Sequence, residues 1–181
     1  MTDNAPPGEI SAARFPWRMN MNGFSPDGYI VDQDYFGDYE YRTIPASHNG
    51  CGWIAAYNIR HYLGHEADFK EVMREMDEMH TLHIPGPTTM PVMRAYLKKY
   101  IPEMKEHEGR EAALAATCGS RAGILRYSEA EVPHFISFIR AGEVFRFFNV
   151  NDGLEDFVSS MEMFFASHVK PPKYVSVFTL A

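Results

Sequence analysis

The sequence predicts an α+β domain in which a helical first half packs on an antiparallel sheet. Helical apolar spacing dominates the first half, short apolar runs are prominent in the second, and two of those runs flank a tight turn. At 181 residues, 45% of them hydrophobic, the chain fits one domain with one sizeable core.

Residues 1–46 are rich in Pro, Gly, Asp and aromatics and show little periodicity. Pro6-Pro7-Gly8, Pro16-Trp17 and Ser25-Pro26-Asp27-Gly28 are turn signals, and residues 35–41 carry a short strand pattern. No linker separates this stretch from the rest. Trp17, Phe24, Tyr35, Phe36 and Tyr39 mark it as an extension packed on the body, where it either covers part of a cleft or extends the core. The single domain is therefore taken as 1–181.

A helix is expected over 51–63, where Trp53, Ile54, Tyr57, Ile59 and Tyr62 make a broad apolar surface and Gly64 supplies the stop. Asp68-Phe-Lys-Glu71 resembles a capping box for a second helix, whose Phe69, Val72, Met73, Met76 and Met79 read as core. A third helix starts at Thr88-Thr89-Met90-Pro91 and runs to about 100. After a short charged segment, an alanine-rich helix over 110–117 ends at Gly119. Strands are expected at 122–127, 132–140 and 143–150, the last two joined through Ala141-Gly142 as a hairpin. A helix over 154–166 and a final strand at 174–180 complete the order.

The formal net charge is −7 and no run of Lys and Arg supplies phosphate contacts, so nucleic acid is not an expected partner. The start of the chain lacks the basic and apolar segments of a secretory signal, and no apolar run reaches bilayer length. The expectation is a cytoplasmic protein without membrane contact, its two cysteines, Cys51 and Cys118, both free thiols.

Asn49-Gly50-Cys51-Gly52-Trp53 carries the most chemical information. A cysteine at a helix start faces unpaired N–H groups and a partial positive charge, both of which favour the thiolate at neutral pH. The flanking glycines allow a sharp turn and close approach of a substrate. Downstream, Pro133 fixes the backbone before His134, which opens an apolar strand and is the candidate base for the thiol. The next strand ends in Asn149-Val150-Asn151-Asp152-Gly153. If 135–140 pairs with 144–149, Asn149 lies near the histidine and can accept its second ring N–H; Asn151 and Asp152 are the alternatives for that role.

These motifs resemble the papain-like cysteine peptidase superfamily, most nearly its compact bacterial branch of bacteriocin-leader peptidases. The resembling parts are the Asn-Gly-Cys-Gly-Trp-Ile-Ala-Ala-Tyr run from Asn49, Pro-His-Phe-Ile-Ser-Phe from Pro133, and Phe-Phe-Asn-Val from Phe147, in the family's chain order over 44–180. The resemblance implies a papain-like fold, a Cys51 nucleophile, a His134 base and an Asn149 orienter, acting on a peptide or amide without metal or other cofactor. These enzymes carry a glutamine five or six residues before the cysteine, where its amide holds the oxyanion. Pro45 and Ala46 stand there instead, leaving Asn49, His48 or Ser47, with the Cys51 N–H, as substitutes. A lost oxyanion donor costs about 2.7–4 kcal/mol of transition-state stabilisation. The readings that follow are a cysteine hydrolase, an acyltransferase or transglutaminase-like enzyme on the same fold, and a papain-like binding protein that has lost catalysis.

His61, His65 and Glu66 invite comparison with a zinc helix, but Phe69 stands where that pattern needs a histidine. His80, His83 and His107 are set aside because a catalytic zinc site needs three converging ligands. Cys118 reads as structural.

Overall fold

Helices come first and an antiparallel sheet follows, as a computed structural model describing residues 23–81, 84–129, 132–150, 157–169 and 174–181 shows. After a 3₁₀ turn at Gln33–Phe36 come β1 (Glu40–Tyr41), β2 (Ile44–Pro45), α1 (Ala46–Asn49), α2 (Cys51–Tyr62), α3 (Phe69–Glu78) and α4 (Met90–Tyr100). Then follow β3 (Lys105–Glu108), α5 (Arg110–Gly119), β4 (Ala122–Glu129), β5 (Val132–Ala141), β6 (Val144–Phe148), β7 (Phe157–Ser159), α6 (Met161–Ser167) and β8 (Val175–Leu180). Local chemistry sets several boundaries. Gly64 turns left-handed (φ 71°) and the His65 N–H reaches back to the Arg60 carbonyl, closing α2. Asp68 accepts the Lys70 N–H and starts α3. Among the described residues no helix is long and apolar enough to cross a membrane.

The main sheet is antiparallel throughout, in the order β3-β8-β4-β5-β6-β7. Side chains alternate across it, so each face has its own core. Ile124, Phe135, Ile139, Phe148 and Phe178 pack with α2 and α4. Leu125, Ile136, Phe138, Phe147 and Val177 pack on the other face with Ala113 of α5 and Phe164 and Phe165 of α6. The helical first half thus covers one face, and α5 with α6 covers the second.

In the first half the strand expected over 35–41 is confined to Glu40–Tyr41 after the 3₁₀ turn, and the loop expected over 44–50 holds β2 and α1. Three elements of the second half also differ from the sequence expectation. The charged segment at 105–108 is an edge strand; charge suits an exposed edge, and Arg94 of α4 pairs with Glu106 and Glu108 across it. The helix expected over 154–166 begins only at Met161, because Ser160 accepts the Met163 N–H as its cap and 157–159 pairs with β6 instead; residues 154–156 lie outside the described set. The hairpin turns through Gly142-Glu143, with Gly142 at φ 68°, so Ser137 pairs with Phe148 and the register moves by one residue.

Residues 23–46 share the α2 core. Phe36 meets Trp53 edge-on at 5.4 Å and Phe69 at 5.3 Å. Trp17 and its neighbours lie outside the described residues. The wholly buried Asn58 of α2 holds both backbone groups of Ile30 and the Ser137 hydroxyl of β5, joining this segment, the helix and the sheet.

Candidate active site

Cys51 is the first residue of α2, and the Gly50 N–H bonds the Ala46 carbonyl at 2.8 Å as α1 runs into it. Gly50 has an ordinary right-handed backbone, so conformation does not demand glycine there; space does. A Cβ on Gly50 would stand 2.5 Å from the Ala46 oxygen, and one on Gly52 would stand 2.4 Å from Thr88 Cβ. The Gly52 side of the helix end is therefore filled by Thr88 rather than held open for a ligand. Thr88 Oγ1 in turn lies 2.8 Å from the Tyr41 hydroxyl, which is 3.2 Å from His80 Nε2, fixing the first turn of α2 under a buried polar chain.

The Cys51 thiol is only 5% exposed. Burial pushes it up, while the backbone N–H groups of Phe135, Gly52 and Cys51 itself, and more remotely Arg126, pull the other way. Burial wins, so the resting sulfur is a thiol at neutral pH and not the thiolate expected from the helix terminus alone.

The Phe135 N–H that faces the sulfur belongs to the residue after His134. Along β5, Phe135, Ser137 and Ile139 face α2, and His134 stands edge-on to Tyr127 at 6.0 Å. Pairing with β6 stops at Ser137–Phe148, and both the Phe135 N–H that faces the Cys51 sulfur and the contact of His134 with Asn149 lie beyond that last pair. There His134, 4% exposed, donates from Nε2 to the Asn149 backbone carbonyl at 2.7 Å. A carbonyl oxygen only accepts, so Nε2 carries the proton and Nδ1 is the basic nitrogen of the neutral ring.

Asn149 leaves the strand in the left-handed region, φ 62°, a conformation asparagine tolerates better than most residues. Its side chain faces away from this exchange: Oδ1 accepts the Gln33 N–H at 3.0 Å and Nδ2 donates to Gln33 Oε1 at 3.1 Å. Gln33 Nε2 donates onward to the Ser47 carbonyl at 2.9 Å. No sequence motif singled out Gln33, which stands well upstream in the chain of the position where the resemblance sought a glutamine, although its amide touches the neighbouring Ser47. Asn151 and Asp152 lie outside the described residues.

The expected oxyanion substitutes are otherwise engaged. Both N–H groups of the buried Asn49 amide go to backbone carbonyls, Tyr41 at 2.7 Å and Gly86 at 3.0 Å. His48 is exposed, its Nδ1 3.2 Å from Ser47 Oγ. Backbone N–H groups around the sulfur remain as donors. Elsewhere, His61 Nε2 meets the Asp27 carbonyl, His107 Nε2 meets Thr179, and Cys118 is exposed beside Glu162; His83 lies outside the described residues.

Burial also raises the Tyr41 and Tyr96 hydroxyls. With Cys51, these three acids hold their protons more tightly folded than unfolded. Their contribution to stability is whole below the ordinary thiol and phenol values and is lost as pH rises through the folded ones. The urea midpoint is therefore expected to fall above about pH 9, the onset moving toward pH 10 when Cys51→Ala is made in a Cys118→Ser chain, since burial raises the Cys118 thiol as well. A midpoint that climbs between about pH 9 and 11 would contradict this assignment.

A scan of the chain against protein-family models finds no match, and no curated protein matches its sequence.

Proposed function

We propose that the chain is a papain-like cysteine hydrolase, a peptidase or amidase, with Cys51 as nucleophile and His134 as base. One observation carries the reading: the histidine ring is held at Nε2 by a main-chain oxygen 2.7 Å away, on the strand whose next N–H faces the cysteine sulfur. Cys51 keeps its proton at rest, so the proton moves during attack. As sulfur adds to the substrate carbonyl carbon, its proton passes to His134 Nδ1. The resulting imidazolium keeps its Nε2–H on the Asn149 carbonyl, a bond strengthened by the new charge. Nδ1 then returns the proton to the leaving amine as the C–N bond breaks, leaving a thioester on Cys51. Water attacks that thioester, giving its proton to Nδ1; the acid leaves and sulfur is reprotonated. Backbone N–H groups at the start of α2 and from Phe135 are the donors nearest the developing charge.

A second reading, the fold retained for binding alone, draws on the burial of both groups and the engaged Asn49 amide. Acylation separates the two. With Cys118→Ser removing the exposed thiol, p-nitrophenyl acetate is expected to release a stoichiometric burst of nitrophenol and leave an acetyl thioester on Cys51, seen by peptide mass spectrometry. An added amine that captures the acyl group would place the chain among acyltransferases. Absence of any burst, with Cys51 unmodified, would sink the catalytic reading.

A further inference from the structure

We infer that Gln33 is a positioning residue for His134, acting through Asn149, an inference that rests on the hydrolase reading. The Gln33 backbone N–H and side-chain oxygen close a ring with the Asn149 amide, satisfying Oδ1 and Nδ2 together, at 3.0 and 3.1 Å. Both ends of that amide are occupied, so the side chain is held against rotation. The left-handed backbone of Asn149 costs about 1–2 kcal/mol for an L-residue without compensation. It is also the conformation that turns the Asn149 carbonyl onto His134 Nε2.

The remaining end of Gln33 completes the link. Its Nε2 holds the Ser47 carbonyl at 2.9 Å, in α1, four residues before the nucleophile. One neutral side chain thus ties the peptide that orients the base to the turn that presents Cys51. The turn carrying Gln33 is itself fixed: Asp32 accepts the Asp34 N–H at 2.9 Å, and Phe36 is buried in the α2 core. Release of this clamp lets the 149–150 peptide rotate, and His134 loses the acceptor that selects its tautomer.

The experiment uses the full chain in the Cys118→Ser background. Nitrogen-15 correlation spectra of the His134 ring report its tautomer, and the nitrophenyl acetate burst reports acylation; urea unfolding confirms that each variant folds. The parent is expected to hold the Nε2–H form. Gln33→Ala is expected to mix the tautomers and slow acylation on the order of tenfold, below the roughly hundredfold that a full 1 Å misplacement of a catalytic group can cost, because the Asn149 carbonyl itself is retained. Gln33→Glu, which can still accept from Asn149 Nδ2 but cannot donate to Ser47, is expected to retain the Nε2–H form better than alanine; it carries the test if Gln33→Ala fails to fold. A folded variant with the parental tautomer and burst rate overturns the role of Gln33 and leaves the hydrolase reading intact. A parent that is never acylated, in which the tautomer still depends on Gln33, removes the hydrolase reading while the clamp stands.

Discussion

His134→Ala is expected to slow acylation of Cys51 by about a thousandfold at neutral pH, within the range general bases contribute. The size of the effect follows from the resting state. Burial keeps the Cys51 proton in place, so little thiolate exists to attack unaided, and removal of the base leaves no ordinary route for that proton. Added imidazole, small enough to occupy the space left by the ring, is expected to restore part of the rate. Asn149→Gly supplies the complementary measurement. It keeps the main-chain oxygen and accepts the left-handed backbone, and loses only the side-chain ring with Gln33. Its loss is therefore expected to match that of Gln33→Ala, about tenfold, not the much larger loss that follows when a side-chain orienter is deleted. Equal burst rates for His134→Ala and its parent would remove His134 from the chemistry.

Helices governed by local rules were legible in the sequence. Gly64 ends α2, Asp68 opens α3 and Pro91 sits in the first turn of α4, each through groups within a few residues. The central strands were legible too, because β4, β5 and β8 each concentrate β-branched, leucine or aromatic residues that are buried. β3 and β7 were not: Lys105–Glu108 carries no apolar residue, and Phe157–Ser159 is a strand only because β6 lies beside it. The one-residue shift of the hairpin has a similar origin. Both Ala141-Gly142 and Gly142-Glu143 read as tight turns, and only the pairing of Ala141 with Val144 decides between them.

At the site, the sequence pointed to residues more readily than to atoms. Asn149 stands beside His134, but the main-chain oxygen meets the ring while the amide turns to Gln33, 116 residues away. No local pattern encodes a partner at that distance. The thiol illustrates a contest of magnitudes. Helix-end N–H groups do favour the thiolate, as the position of Cys51 implies, yet desolvation outweighs them, and burial depends on what the whole chain packs over that helix end.

Asn58→Ala is expected to destabilise the chain by about 4 kcal/mol, lowering the melting temperature by roughly 10–15 °C. The residue is fully buried, and its amide satisfies three groups from two distant segments: the Ile30 N–H at 2.8 Å, the Ile30 carbonyl at 2.9 Å and Ser137 Oγ at 3.0 Å. Each group left buried without a partner costs about 1–3 kcal/mol, reduced where water enters the vacated space. Arg74→Ala, which breaks the exposed pair with Glu78, serves as the control and is expected to shift stability by less than about 0.5 kcal/mol. The loss should be uneven along the chain. Ile30 lies three residues before Gln33, so its release loosens the segment that reaches Asn149, and the Ile30 amide is expected to lose hydrogen-exchange protection before β4 and β5 do. At temperatures where Asn58→Ala remains folded, acylation of Cys51 should already be slowed, as in Gln33→Ala. Melting within about 2 °C of the parent, with Ile30 still protected, would show that the aromatic contacts of Phe24 and Phe36 hold this segment by themselves.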